Sequence, residues 1–289
     1  GAIVLLAGMQ DNGQAHRTTL TQILSDRLGY DAGRITIRQG DSAQTPPGTT
    51  GGARMSIING SGVAHIAAET LRKAIPHAAN HLGCIPADVS FANGLFFTRD
   101  SNLTIGLEEL VIRLAPAQGA HPYNMYHAYE SAGATYPYGC HVVEIEVDPG
   151  TCLAQIKRYT VVDDFGVIIN PVTLRGQIHG GIAQGVGQAL YEYAAFNDQA
   201  QLLAGSLMDY ALPRADHLPS IDLYFRGTPT GNNYLEIKGA GQAGAIGATQ
   251  AVISALCDAL GVTHIDMPAT PAAIWRALKK KNREGQNDV

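Results

Sequence analysis

Three Gly-Gln pairs are the first places in this 289-residue sequence where residue type suggests chemistry: Gly13-Gln14, Gly176-Gln177 and Gly241-Gln242. Each is predicted where a loop turns into a helix after a strand or hairpin, so three helix N-termini could converge. Such an end presents unpaired N–H groups and a partial positive charge, which suits phosphate. A glutamine amide adds a donor and an acceptor for a heteroaromatic ring. The competing reading is that the pairs are turn residues only. The run Thr49-Thr50-Gly51-Gly52-Ala53-Arg54 ends a polar, Pro/Gly-rich loop from Gly40 to about Ser56. That loop is long for a compact domain, and its glycines would let bare backbone approach a ligand. Finally, Gly239-Ala240-Gly241-Gln242-Ala243-Gly244 matches GxGxxG, follows a predicted strand Tyr234–Ile237, opens a helix and has Asp266 some twenty residues on, the local form of a dinucleotide fingerprint. Only 45 residues follow Gly244, too few for the rest of a nucleotide-binding half.

Other chemistries find less support. None of the ten histidines pairs as HxH or HExxH, so no side chain is expected to hold a metal directly. His179 lies beside Gly180 and Gly181 with no carboxylate nearby in sequence. Asp163 and Asp164, adjacent on a predicted strand, point to opposite faces and read as a strand end entering a turn at Gly166. No GxSxG motif occurs, which leaves hydrolysis without a nucleophile. Cys84, Cys140, Cys152 and Cys257 form no CxxC and read as buried small apolar residues. The Asp148-Pro149-Gly150-Thr151 turn is predicted to set residue 147 opposite 152, with Cys140 well down the opposite strand.

Hydrophobic residues are 45% of the chain, while charged residues are 16% against the usual ~25%, and 33 residues are glycine. Much of the surface is therefore expected to be covered, in a core or against partners. Net charge is −5, from 20 basic and 25 acidic side chains. Read as thinly spread, it gives no footprint for nucleic acid or anionic lipid. No apolar run approaches the ~20 residues of a membrane span and no signal peptide is visible, so the expectation is a cytoplasmic protein with neither nucleic-acid nor membrane partners. The chain opens on an apolar strand without an initiator Met, as a fragment or processed subunit would.

The elements that must position these residues follow from periodicity and breakers. The first part predicts a strand Ala2–Ala7, a helix from about Gln14 to Leu28 stopped by Gly29, a strand Arg34–Gln39 and a helix over roughly Ile57–Leu82. A hairpin is signalled by Asn93-Gly94 between Val89–Phe91 and Leu95–Phe97, and a short helix at Leu107–Leu114. After a linker rich in Ala, Gly, Tyr and Pro, the second part predicts hairpin strands Cys140–Val147 and Cys152–Asp163. A helix at about Leu174–Tyr193, strands Ile221–Phe225 and Tyr234–Ile237, and helices at about Gly244–Leu260 and Pro271–Leu278 complete it. The reading is an α+β fold of two related α/β layered subdomains, 1–115 and 140–289, joined by a linker over 116–139.

From Val161-Val162-Asp163-Asp164-Phe165-Gly166 through Ile169-Asn170-Pro171 and Arg175-Gly176-Gln177-Ile178-His179-Gly180-Gly181 to Tyr191-Glu192, the sequence closely resembles the molybdenum-binding subunit of the xanthine dehydrogenase/aldehyde oxidase/carbon monoxide dehydrogenase family. The resemblance extends to Gly8–Gln14, the Thr50–Ser56 loop, Ser206-Leu207-Met208-Asp209-Tyr210, Pro213-Arg214-Ala215-Asp216 and Lys238–Ala248, nearly the whole chain. It implies a C-terminal molybdopterin-binding domain of a molybdenum hydroxylase, oxidising an aldehyde or N-heteroaromatic carbon with water as oxygen source.

Carried over by position, Gly13, Gln14 and Gln177 would bind the cofactor, which is molybdopterin with molybdenum, as such or as the cytosine dinucleotide. The backbone of Thr50, Gly51, Gly52, Ala53, Arg54, Met55 and Ser56 would wrap its phosphate. Lys238, Gly239, Ala240 and Gly241 would line the metal's approach, with no direct protein ligand. Iron–sulfur and FAD carriers are expected on partner subunits, and the N-terminal half of the molybdenum subunit on the other side of the cleft. Two positions depart from the family pattern. Ala15 stands where the first motif usually has Gly, and Gln242 stands where the family's Glu base is found. An amide is far too weak a base at neutral pH, so Gln242 also admits a second reading, a noncatalytic cofactor-binding or assembly subunit.

Overall fold

Strand β1 (Ile3–Ala7) runs parallel to β2 (Ile35–Gln39), Ile3 opposite Ile35 and Ala7 opposite Gln39, and the crossover between them is helix α1 (His16–Leu28). The structure is a computed structural model describing residues 2–99 and 101–287. Leu20, Ile23, Leu24 and Leu28, at helical spacing, face the core. Gly29, at φ 56°, takes the left-handed position that ends the helix. The helix starts at His16 rather than Gln14 because Ala15 is itself left-handed, at φ 61°.

These elements belong to the first of two units, which comprises 1–135, 167–170 and 229–239. Its long helix α2 (Ser61–Leu82) is entered through a wide turn at Ser56–Gly60, with Met55 already helical. Strands β3 (Ser90–Ala92) and β4 (Leu95–Phe97) form the predicted hairpin. Asn93 and Gly94 both have positive φ, as a two-residue hairpin turn requires. A strand the sequence did not announce, β5 (Thr104–Gly106), pairs with β4 and leads into α3 (Leu107–Arg113). Phe96 and Ile105 are sealed where this sheet meets the core.

Segments 167–170 and 229–239 pack with this first unit, whereas the sequence reading puts them in the second subdomain. Gln22 of α1 holds the former, its amide donating to Ile169 O (2.7 Å) and accepting from Asn170 (3.1 Å). The predicted strand Tyr234–Ile237 is a turn instead. The buried Asn233 side chain accepts from the N–H groups of Leu235 and Ile237 and donates to Ile237 O, and Glu236 has φ 57°. One amide thus satisfies the backbone that a strand would have paired with a neighbour.

The second unit, 136–166, 171–228 and 240–289, has strand β6 (Tyr138–Val147) antiparallel to β7 (Ala154–Asp164), and β8 (Ile221–Phe225) parallel to β7. Val147 faces Ala154 rather than residue 152, since Cys152 at φ 58° is part of the turn. Cys140 faces Val162. Of the four cysteines only Cys152 is buried; Cys140 is exposed, and Cys84 and Cys257 are half-buried.

Helices α4 (Pro171–Leu190), α5 (Ala243–Leu260) and α6 (Pro271–Asn287) complete the unit. Gly181 and Gly185 let α5 approach α4 closely, since a Cβ on Gly185 would stand 2.7 Å from that of Ala248. Tyr159, Ile178, Ile182, Val252, Leu256 and Ile274 are fully buried here. Among the described residues α5 is the one helix long and apolar enough to cross a membrane; here it packs against α4 and β6.

Candidate cofactor-binding site

In the first unit, residues 8–16 form a turn wound on its own polar groups. Asp11 accepts from the N–H groups of Gly13 (3.1 Å) and Arg17 (3.4 Å). Burial pushes the Asp11 carboxyl upward, but these bonds and the neighbouring His16 outweigh it and hold its pKa below the usual value. Gln14 folds back on this turn, its Oε1 accepting from Asn12 N–H and its Nε2 lying 3.5 Å from Gln10 O. His16 is buried, with Nδ1 3.3 Å from Gln10 O, and burial lowers its pKa.

The Gly40–Ser56 loop closes on that turn. The Thr50 hydroxyl accepts from Gln10 N–H (3.0 Å) and donates to Gln10 Oε1 (2.9 Å). A Cβ on Gly48 would sit 1.4 Å from Gly8 O, so only glycine permits the backbones to meet there. Further on, a Cβ on Gly51 meets nothing within 4 Å, and exposed Arg54 precedes the helical turn of Met55. The first bond of that turn runs from Ile58 N–H to Arg54 O (3.0 Å). The N–H groups of Met55, Ser56 and Ile57 therefore lead the helix, the arrangement that favours an anion. Gly239 joins this group, because its Cβ would stand 2.2 Å from Ala53 O. The Thr50–Ala53 loop and Gly239, far apart in sequence, thus share one region with Gln14's turn.

The second unit holds Gln177, Ala240, Gly241 and Gln242. Gln242 is the exposed residue at the start of α5, its carbonyl accepting from Ile246 N–H (3.0 Å), and Gly244 seats that helix end on the Ile178 carbonyl. Gly176-Gln177 does not mark a helix start. It lies within α4, which begins at Pro171, where a proline's fixed φ and missing N–H suit the first helical position. Two of the three Gly-Gln pairs therefore stand at helix N-termini. Without a strand before Gly239, the GxGxxG string also lacks the context of a dinucleotide site.

Asp163 and Asp164 do not form a carboxylate pair. Asp164 accepts from the N–H groups of Gly166 (2.8 Å) and Thr228 (3.0 Å) and holds a turn. Asp163 is buried with Oδ1 3.7 Å from His141 Nε2, and His141 Nδ1 lies 2.8 Å from the Tyr159 hydroxyl. Burial and the Asp163 charge push the Tyr159 phenol well above its ordinary pKa. This buried network joins Asp163 to His141 and Tyr159, which the motifs do not mark. Its signal was the alternation of β6 and β7, which puts His141 and Asp163 near one another on paired strands. Among the described residues no three His, Cys, Asp or Glu side chains gather as a metal site.

The family of the molybdopterin cofactor-binding domain matches residues 1–219. The chain belongs to that family. It is 30% identical over 290 residues to the carbon monoxide dehydrogenase large chain of Hydrogenophaga pseudoflava, covering 98% of this chain and 36% of that protein. With the nicotine 6-hydroxylase large subunit of Paenarthrobacter nicotinovorans it shares 31% identity over 96% of this chain and 36% of the relative. Carbon monoxide dehydrogenase from Oligotropha carboxidovorans has the same fold, with a TM-score of 0.89 and 27% identity over 98% of this chain and 36% of the solved one. The chain thus spans about a third of the length of these relatives.

Proposed function

We propose that this chain is the cofactor-binding portion of a molybdenum-dependent oxidoreductase acting on an aldehyde or N-heteroaromatic carbon. The observation that carries the reading is the approach of Gly239 to Ala53 O beside the N-terminus leading into α2, a bare-backbone cradle where a side chain would intrude. The residues present fit a phosphorylated pterin. The N–H groups of Met55–Ile57, with exposed Arg54, suit its phosphate, and the Gly51–Ala53 backbone leaves room beside it. When bound, the molybdenum pterin, as such or as the cytosine dinucleotide, supplies the redox chemistry, with water as oxygen source. The family resemblance further assigns Gln14, Gln177 and Lys238 to cofactor binding and Ala240 and Gly241 to the metal's approach. In this reading an N-terminal half, an iron–sulfur subunit and a flavin subunit complete a cytoplasmic enzyme.

Gln242 sets what the chain does with a proton. An amide oxygen orients substrate by hydrogen bonding but cannot hold a proton at neutral pH, and losing a positioned base costs ~10²–10⁴ in rate. The same residue is the ground for the second reading, a noncatalytic cofactor-binding subunit, which the likeness to carbon monoxide dehydrogenase and nicotine 6-hydroxylase subunits does not favour. Molybdenum and released pterin, measured on the chain co-expressed with its partner subunits, should both approach one per complex; their joint absence overturns the cofactor reading. In a loaded complex, Gln242→Glu separates the two roles. A rise in turnover of ~10²-fold or more marks a degenerate base position, and a fall marks a working substrate contact.

A further inference from the structure

The low charge that composition suggests is not evenly spread. Arg276, Lys279, Lys280, Lys281 and Arg283, five of the chain's 20 lysines and arginines, fall within eight residues of α6, and no Asp or Glu occurs from Met267 to Arg283. The helix divides these cations by face. Ile274 is fully buried, Ala277 and Leu278 pack on the second unit's core, and Lys281 reaches back to cap α5 through Leu260 O (2.9 Å). Arg276, Lys279, Lys280 and Arg283 lie exposed on the other side. Trp275, the chain's only tryptophan, borders that stripe at 50% exposure, with the Lys279 ammonium 4.1 Å from its ring centroid.

We propose that this face of α6 docks on an anionic phospholipid surface, with Trp275 settling at the headgroup level. A tryptophan beside lysines and arginines is the pairing found where one side must be apolar and the other wet. The face carries a single large apolar side chain, so it lacks the apolar centre that a protein interface needs. One tryptophan also falls short of the several stacking platforms that single-stranded nucleic acid uses. A fluid layer of anionic headgroups needs neither, because the lipids rearrange beneath the cations. The proposal stands independently of the cofactor reading.

Trp275 is also the built-in reporter. The 289-residue chain is mixed with phosphatidylcholine vesicles containing roughly a third phosphatidylglycerol, and with pure phosphatidylcholine vesicles, and followed by tryptophan emission and flotation. The expected result is a blue shift and flotation with the anionic vesicles alone, reversed by about 0.5 M salt as screening shortens the field. Each Lys or Arg near such a surface contributes about fivefold, so the triple variant Arg276→Gln/Lys279→Gln/Arg283→Gln should partition about a hundredfold more weakly with unchanged circular dichroism. No flotation with anionic vesicles, equal flotation with neutral ones, or a triple variant that floats like the parent overturns the proposal. So does a single-stranded oligonucleotide that shifts the emission at concentrations where vesicle phosphate does not.

Discussion

Replacing Gly239 by alanine should cost cofactor binding far more than it costs the fold. The added Cβ would stand 2.2 Å from Ala53 O and 3.0 Å from Ala53 C, where ordinary contact begins at 3.4 Å, so the loop must retreat by about 1.2 Å. The obstacle is backbone and cannot be relieved by a rotamer change. Overpacking of this kind costs about 1–3 kcal/mol, which a chain of this size registers as a drop of a few degrees in Tm. The cradle is affected more directly than the fold, because the Ala53 backbone that must retreat is itself part of it. Gly231→Ala is the matched control. It lies in the same 229–239 segment, its Cβ would meet nothing within 4 Å, and its φ is not in the left-handed region. The assay is molybdenum and pterin content of the two variants co-expressed with partner subunits, with Tm measured on each. Gly231→Ala should load like the parent, and Gly239→Ala should load poorly while still melting cooperatively. Equal loading of the two variants would refute the assignment of the Ala53–Gly239 approach to the cofactor cradle.

Further expectations rest on separate observations. Ala15→Gly should raise Tm by about 2–4 °C, since it relieves a left-handed alanine worth about 1 kcal/mol; a lower Tm would show that the unfolded chain's extra freedom dominates. Gly247→Ala should destabilise by about 1–3 kcal/mol, because its Cβ would stand 2.5 Å from the buried His141 ring. Adding His141→Ala should remove that increment in a double-mutant cycle, and strictly additive losses would place the strain elsewhere. Burial depresses the His16 pKa, so the unfolded chain takes up a proton that the folded chain resists. Stability should therefore be intact above the unfolded value of 6.5 and fall as pH drops through it. The fall in Tm between about pH 7.5 and 5.5 should be smaller in His16→Gln than in the parent.

What the linear sequence determines here is what repeats at short range. The spacing of Leu20, Ile23, Leu24 and Leu28 names the buried face of α1, and Asn93-Gly94 names a hairpin, because only those residue types accept two successive left-handed positions cheaply. Alternation separates Asp163 from Asp164, and the long motif from Val161 to Glu192 carries the family likeness that the match over residues 1–219 bears out. The basic run Arg276–Arg283 was equally legible, and bulk composition hid it.

What only the tertiary structure decides is where backbone meets backbone over long separations. Nothing local to Tyr234–Ile237 says that Asn233 will satisfy its N–H groups and turn it away from a strand, or that 229–239 will pack with the first unit. Nothing near Gly239 announces the Ala53 carbonyl, more than 180 residues earlier in the chain. Gln177 reads as a helix start until Pro171 is seen to begin the helix two turns sooner. Periodicity reports which face of an element is buried. It carries no record of the distant atom that face will touch, and a site built from close backbone approaches is made of such contacts.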